Sequence, residues 1–132
     1  MSNNHTFIVK QGKTFQRRLE YWSGSPPQRV DLSDFEARMQ IRPQFNSNVV
    51  YCSLNTSIGP DGSGLTKTPL SASVTLPATS GSIGITISAY SSSQFTWTEG
   101  FFDLEIYSGS GVSEYVQEVL RGKFKVLPEV TK

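Results

Sequence analysis

From Asp31 to Pro43 the chain reads DLSDFEARMQIRP, with Phe35, Ala37, Met39 and Ile41 on one parity and Glu36, Arg38, Gln40 and Arg42 on the other. Alternation over eight residues gives a strand with one dry and one wet face, the mark of a sheet packed on a core from one side. The same pattern recurs in SIGITIS, where Ile83, Ile85 and Ile87 face inward. It recurs again in FFDLEIY, where Phe102, Leu104 and Ile106 face inward while Asp103 and Glu105 lie on a solvated outer face. Further strands are predicted at Thr6 to Val9, Thr14 to Trp22, Val49 to Leu54, Val74 to Leu76, Tyr115 to Arg121 and Phe124 to Leu127. Gly122 divides the last two, where a glycine marks a bulge or a change of direction.

Between these segments lie SGSPPQ, GPDGSG, TSGS and SGSG, the Gly, Pro and Asp punctuation of turns. No stretch sustains helical spacing; Ser91 and Gln94 in SAYSSSQFTW have capping-box spacing and predict a single helical turn. Short strands joined by short turns read as an all-β sandwich or small barrel of about seven to nine strands. The segment 55–81 holds four glycines and three prolines and is expected to be a long surface loop, with only SVTL pairing. No internal repeat is present.

A length of 132 residues suits one domain, 1–132, with extended tails at 1–5 and 128–132. Twelve Lys and Arg against eleven Asp and Glu leave a net charge of +1 without a dense basic face, which argues against nucleic acid as a partner. Arg17 and Arg18 are adjacent, but they face opposite sides of their strand. No apolar run is long enough for a membrane span, and MSNNHTF does not read as a secretory signal, so synthesis in a cytoplasm is expected. A single cysteine, Cys52, excludes an internal disulfide. Nineteen Ser and eleven Thr give a hydroxyl-rich, low-charge surface that suits a subunit of an assembly.

Catalytic chemistry is scarce. An enzyme requires a nucleophile with its base, a tuned carboxylate pair or spaced metal ligands. His5, the one histidine, falls in the expected N-terminal tail, and Cys52 in VVYCSL reads as a small buried hydrophobe. Asp103 and Glu105 stand roughly 7 Å apart on one strand face, and GPDGSG lacks the oxygen ligands of a calcium loop and reads as a turn. No cofactor, metal or small-molecule substrate is expected. Phe15, Phe35, Phe102 and Phe124 occupy core parity, whereas Trp22, Trp97 and Phe101 stand at strand ends, as lids on the core or as anchors for a partner.

The elements KQGKTFQRRLEY, VDLSDFEARMQIRP, GSIGITISAYSSSQFTW and GFFDLEIYSGSGVSEYVQEVLRGKFKVLPEVTK, taken in order, resemble a family of small β-sandwich proteins of tailed bacteriophages. The matching motifs are a G-x-T-F opening at Gly12 to Phe15 and the ARMQIR strand within Asp31 to Arg42. They continue with the I-x-[IL]-x-[IL]-S strand at Ile83 to Ser88, the [FY]-D-L-E strand at Phe102 to Glu105 and a terminal G-x-F-x-V-x-P-E-V-T at Gly122 to Thr131. The family resembled is that of the collar protein to which lateral tail fibres attach (LtfC-like), with neck, baseplate and fibre-adaptor relatives. Resemblance implies an immunoglobulin-like sandwich without enzymatic activity, resident in the virion and made in the host bacterial cytoplasm. Its implied partners are copies of itself in a ring or array and other virion proteins such as tail tube, collar or fibre proteins. The alternative is a head decoration or a receptor- or glycan-binding sandwich, for which Trp22 with Glu20 is the one candidate platform. The expected contacts are Trp22 beside the rigid Pro26 and Pro27, and the outgoing tail at Pro128, Glu129 and Val130.

Overall fold

The period-2 segments become strands whose apolar parity forms the inside of two facing sheets. The computed structural model describes residues 4–23, 28–71, 74–109 and 113–128. In chain order the strands are β1 (Asn4–Lys10), β2 (Phe15–Glu20), β3 (Trp22–Ser23), β4 (Gln28–Arg29), β5 (Glu36–Arg42), β6 (Cys52–Asn55), β7 (Gly64–Thr66), β8 (Leu70–Ser71), β9 (Val74–Thr75), β10 (Ser82–Ile87), β11 (Glu99–Ser108) and β12 (Tyr115–Leu127). One helical turn, α1 (Ala89–Ser93), joins β10 to β11.

A five-stranded sheet runs β1-β12-β11-β5-β6 and a three-stranded sheet runs β2-β10-β7; β3-β4 and β8-β9 form two small ribbons. β1 pairs in parallel with β12, and the other pairings are antiparallel. Strands adjacent in sequence, β5-β6 and β11-β12, share one sheet, while β2 and β10 meet across long connections in the other. Such crossing between layers is the Greek-key order of an immunoglobulin-like sandwich.

Phe7, Phe15, Phe102 and Phe124 form the centre of the core. Phe7 lies 5.0 Å from Phe102 and 5.5 Å from Phe15, and Phe15 lies 5.3 Å from Phe124, centroid to centroid. The isoleucines of β10 and Ala37, Met39 and Ile41 of β5 close around them, all buried. Burying each large side chain is worth about 1.5–3 kcal/mol, which makes this alternation the main source of cohesion. Phe35 is only partly buried, packing on Tyr115 at 5.9 Å just before β5 begins.

Several elements differ from the sequence reading. β12 is continuous through Gly122, and the irregularity falls at Val119: Leu104 faces Leu120 and Glu105 faces Glu118, leaving Val119 unopposed as a bulge. Gly122 serves instead for close approach, because the backbone of β1 at His5, paired beside it, occupies the place of a side chain. Residues 4 and 5, expected in a tail, belong to β1, with His5 opposite Gly122. Val49 and Val50 are exposed and precede β6 rather than opening it. The 55–81 segment is not wholly a surface loop, since β7 pairs with β10 and buries Leu65. The helical turn starts earlier than Ser91, because Ser88 is its N-cap and its hydroxyl accepts from the Ser91 amide.

Candidate interaction face

The outward positions of β5, β11 and β12 stand in cross-strand rows fixed by register. Arg38 faces Glu105, which faces Glu118; Gln40 faces Asp103, which faces Arg121; Arg42 faces Phe101, which faces Lys123. Opposite charges set side by side at strand spacing attract. Arg38 Nε donates to Glu105 at 2.8 Å and its guanidinium lies 4.5 Å over the Tyr107 ring. Arg42 donates to the Gln40 side chain at 2.6 Å and to the Ser47 carbonyl.

Phe45, in the β5–β6 connection, folds back over this face. Its ring lies 4.9 Å from Phe101 and 4.1 Å beneath the Arg121 guanidinium, yet Phe45 remains 44% exposed. It separates two concavities. One, of about 440 Å³, is bordered by Arg38, Gln40, Arg42, Phe45, Asp103 and Glu105. The other, of about 400 Å³, is bordered by His5, Thr6, Phe45, Phe101 and Lys123. Asp103 makes no hydrogen bond or ion pair among the described residues. Burial, reinforced by the charges of Glu105 and Glu118, pushes its carboxyl above the ordinary range, with Arg42 and Arg121 opposing. The face expected to be a plain solvated surface is thus a half-covered charged lattice with an aromatic ridge.

A second polar node lies at the end of the molecule. Asp61 accepts from the Ser88 hydroxyl at 2.5 Å, from the Ser91 hydroxyl and from the Ser63 hydroxyl at 3.0 Å, and its other oxygen accepts from the Ser63 amide at 3.1 Å. These donors hold its carboxyl well below the usual carboxylate range. The turn in GPDGSG therefore fastens the β6–β7 connection to the cap of α1.

Of the expected contact residues, Trp22 belongs to β3, opposite Arg29. Pro128 is exposed immediately after β12. Pro26, Pro27, Glu129 and Val130 lie outside the described residues. Trp97 is a lid, stacked on Tyr51 at 4.6 Å and 6° and packed on Phe95 at 4.8 Å. Cys52 is partly buried, and its surroundings push the thiol up to about 11. Among the described residues no three His, Cys, Asp or Glu are grouped to hold a metal, and no helix is long and apolar enough to cross a membrane. Phe45, Phe101 and Arg121 were not singled out together by sequence reasoning. Their signal was the outward parity of β11, where Phe101 stands among charges.

No family model matches the chain, and neither does any curated protein. Its fold is similar to that of the N-terminal domain of phage TP901-1 ORF48, with a TM-score of 0.51 and 9% identity over 96% of this chain and 90% of that one. At that identity the likeness is one of fold, an all-β sandwich.

Proposed function

We propose that this chain is a non-enzymatic structural protein of a tailed bacteriophage virion, a multi-copy tail, collar or baseplate subunit that attaches or positions tail fibres. Its partners are further copies of itself and neighbouring virion proteins. The observation that carries this reading is the end-to-end fold likeness to a phage protein domain, taken together with the ordered run of phage sandwich motifs in the sequence. Fold alone does not specify function, so the role along the virion rests on that resemblance. A rigid core with its polar work done by register-matched surface rows suits a part that holds shape and presents faces to neighbours.

Immunogold electron microscopy on particles of the phage that carries this gene tests the reading. Label is expected on the tail or its junction with the head. Label confined to the capsid lattice would instead favour head decoration, and unlabelled particles would overturn a virion role.

A further inference from the structure

The outer face of the three-stranded sheet is chemically unlike the face described above. Its outward positions are Gln16, Arg18 and Glu20 on β2, Gly84 and Thr86 on β10, and Gly64 and Thr66 on β7, while Ser82, of the same parity, is fully buried. Among these the one carboxylate, Glu20, is held by Arg29 at 2.9 Å. Arg18 has no carboxylate partner among the described residues. It stands with Arg17 beside a groove of about 560 Å³ bordered by Gln16, Thr66, Thr68, Pro69 and Thr86. Gly84, opposite Arg18, contributes no side chain to that groove. One sheet therefore presents two arginines and hydroxyls without a counter-charge among the described residues. The other presents Asp103, a carboxylate without a hydrogen-bond donor, in a concavity of similar size.

We propose that the outer groove of the three-stranded sheet seats on the Phe45–Asp103 concavity of a second copy, with Arg18 of one copy meeting Asp103 of the next. This deepens the multi-copy reading and rests on it for its setting in the virion. Charge complementarity selects the occupant: a guanidinium supplies the donors that Asp103 lacks, and Asp103 supplies the anion that Arg18 lacks. The Phe45 ridge adds an exposed aromatic to the contact, opposite a groove bordered by Thr66, Thr68, Pro69 and Thr86. Because the two faces lie on opposite sides of the sandwich, the contact is heterologous. Each copy keeps one face free for the next, so copies form a ring where the rotation between them closes and an open filament where it does not.

Sedimentation velocity over a concentration series of the full chain tests this, with folding of every variant checked by circular dichroism and thermal melt. Wild type is expected to associate beyond the dimer as concentration rises. Arg18→Asp and Asp103→Arg are each expected to weaken association about thirtyfold or more, with Arg18→Ser and Asp103→Asn as milder variants if the reversals do not fold. The doubly exchanged R18D/D103R chain is expected to regain it. A monomeric wild type, single variants that associate like wild type, or an exchanged chain that stays dissociated would each overturn the proposal. Presence of the protein in virions is a separate readout. Exchange rescue without virion incorporation would sink the tail assignment alone, and incorporation without exchange rescue would sink this contact alone.

Discussion

A methyl group built on Gly122 falls 1.7 Å from the carbonyl oxygen of His5 and 2.7 Å from the His5 amide nitrogen, so β1 can lie in parallel register on β12 only because residue 122 has no side chain. Gly122→Ala must push the β1 backbone aside, since neither backbone atom can rotate away as a side chain would. A loss of about 2–3 kcal/mol in urea unfolding is expected. In a chain lacking residues 1–5, which removes His5 and keeps Phe7 and Val9 in the core, the same substitution is expected to cost far less. An equal cost in both backgrounds would show that the clash with His5 is not its source.

Asp103 is ionised at a cost to the fold, because partial burial and the neighbouring Glu105 and Glu118 disfavour its charge. A carboxyl whose folded value is raised leaves the protein most stable when protonated. Stability therefore falls as pH climbs from the ordinary value of 3.8 through the higher folded value. Asp103→Asn is expected to raise Tm at pH 7, with the gain closing as pH drops below 3.8. A variant less stable than wild type at neutral pH would contradict this.

Asp61 has the opposite sign. Its carboxylate is favoured by the Ser88, Ser91 and Ser63 donors, so its contribution is present above 3.8 and is lost as pH falls toward the lower folded value. Asp61→Ala is expected to lower Tm at neutral pH and to speed amide exchange around α1, with the difference from wild type narrowing in acid. Unchanged exchange at Ser91 would argue against the link between the turn and the helix cap.

Cys52 is expected to resist alkylation. Its thiol is raised from 9.0 to about 11, chiefly by burial and further by the charge of Asp61, so its thiolate fraction near pH 8 is about 100-fold below that of an unperturbed thiol. Iodoacetamide labelling followed by mass spectrometry should be slow in buffer and fast in denaturant. Equal rates in both would mean that the thiol is open to solvent.

The inward face was legible wherever alternation ran unbroken: Ala37, Met39 and Ile41, the isoleucines of β10, and Phe102, Leu104 and Ile106 all point into the core. Three residues in a Gly/Thr-rich stretch leave no periodicity to read, which is why β7 and the buried Leu65 escaped notice. The parallel β1-β12 pair was equally hidden, because its register joins residues more than a hundred positions apart. Gly122 carried a true signal with the wrong cause, since a local bend and a close-lying neighbour backbone both exclude a side chain. Asp103 and Glu105 were placed on the correct face but given too much solvent. Around them stand the long side chains of Arg38, Gln40 and Arg42, and the concavity is bordered by Phe45, whose position over Phe101 depends on the path of the β5–β6 connection rather than on any strand pattern.

Quantitative mass spectrometry of purified, intact tails, calibrated with an isotope-labelled copy of this protein, decides whether it is a virion structural subunit present in many copies. A fixed number of copies per tail, greater than one and constant between preparations, is the expected result. Absence of the protein from tails that carry their full set of other components would contradict it.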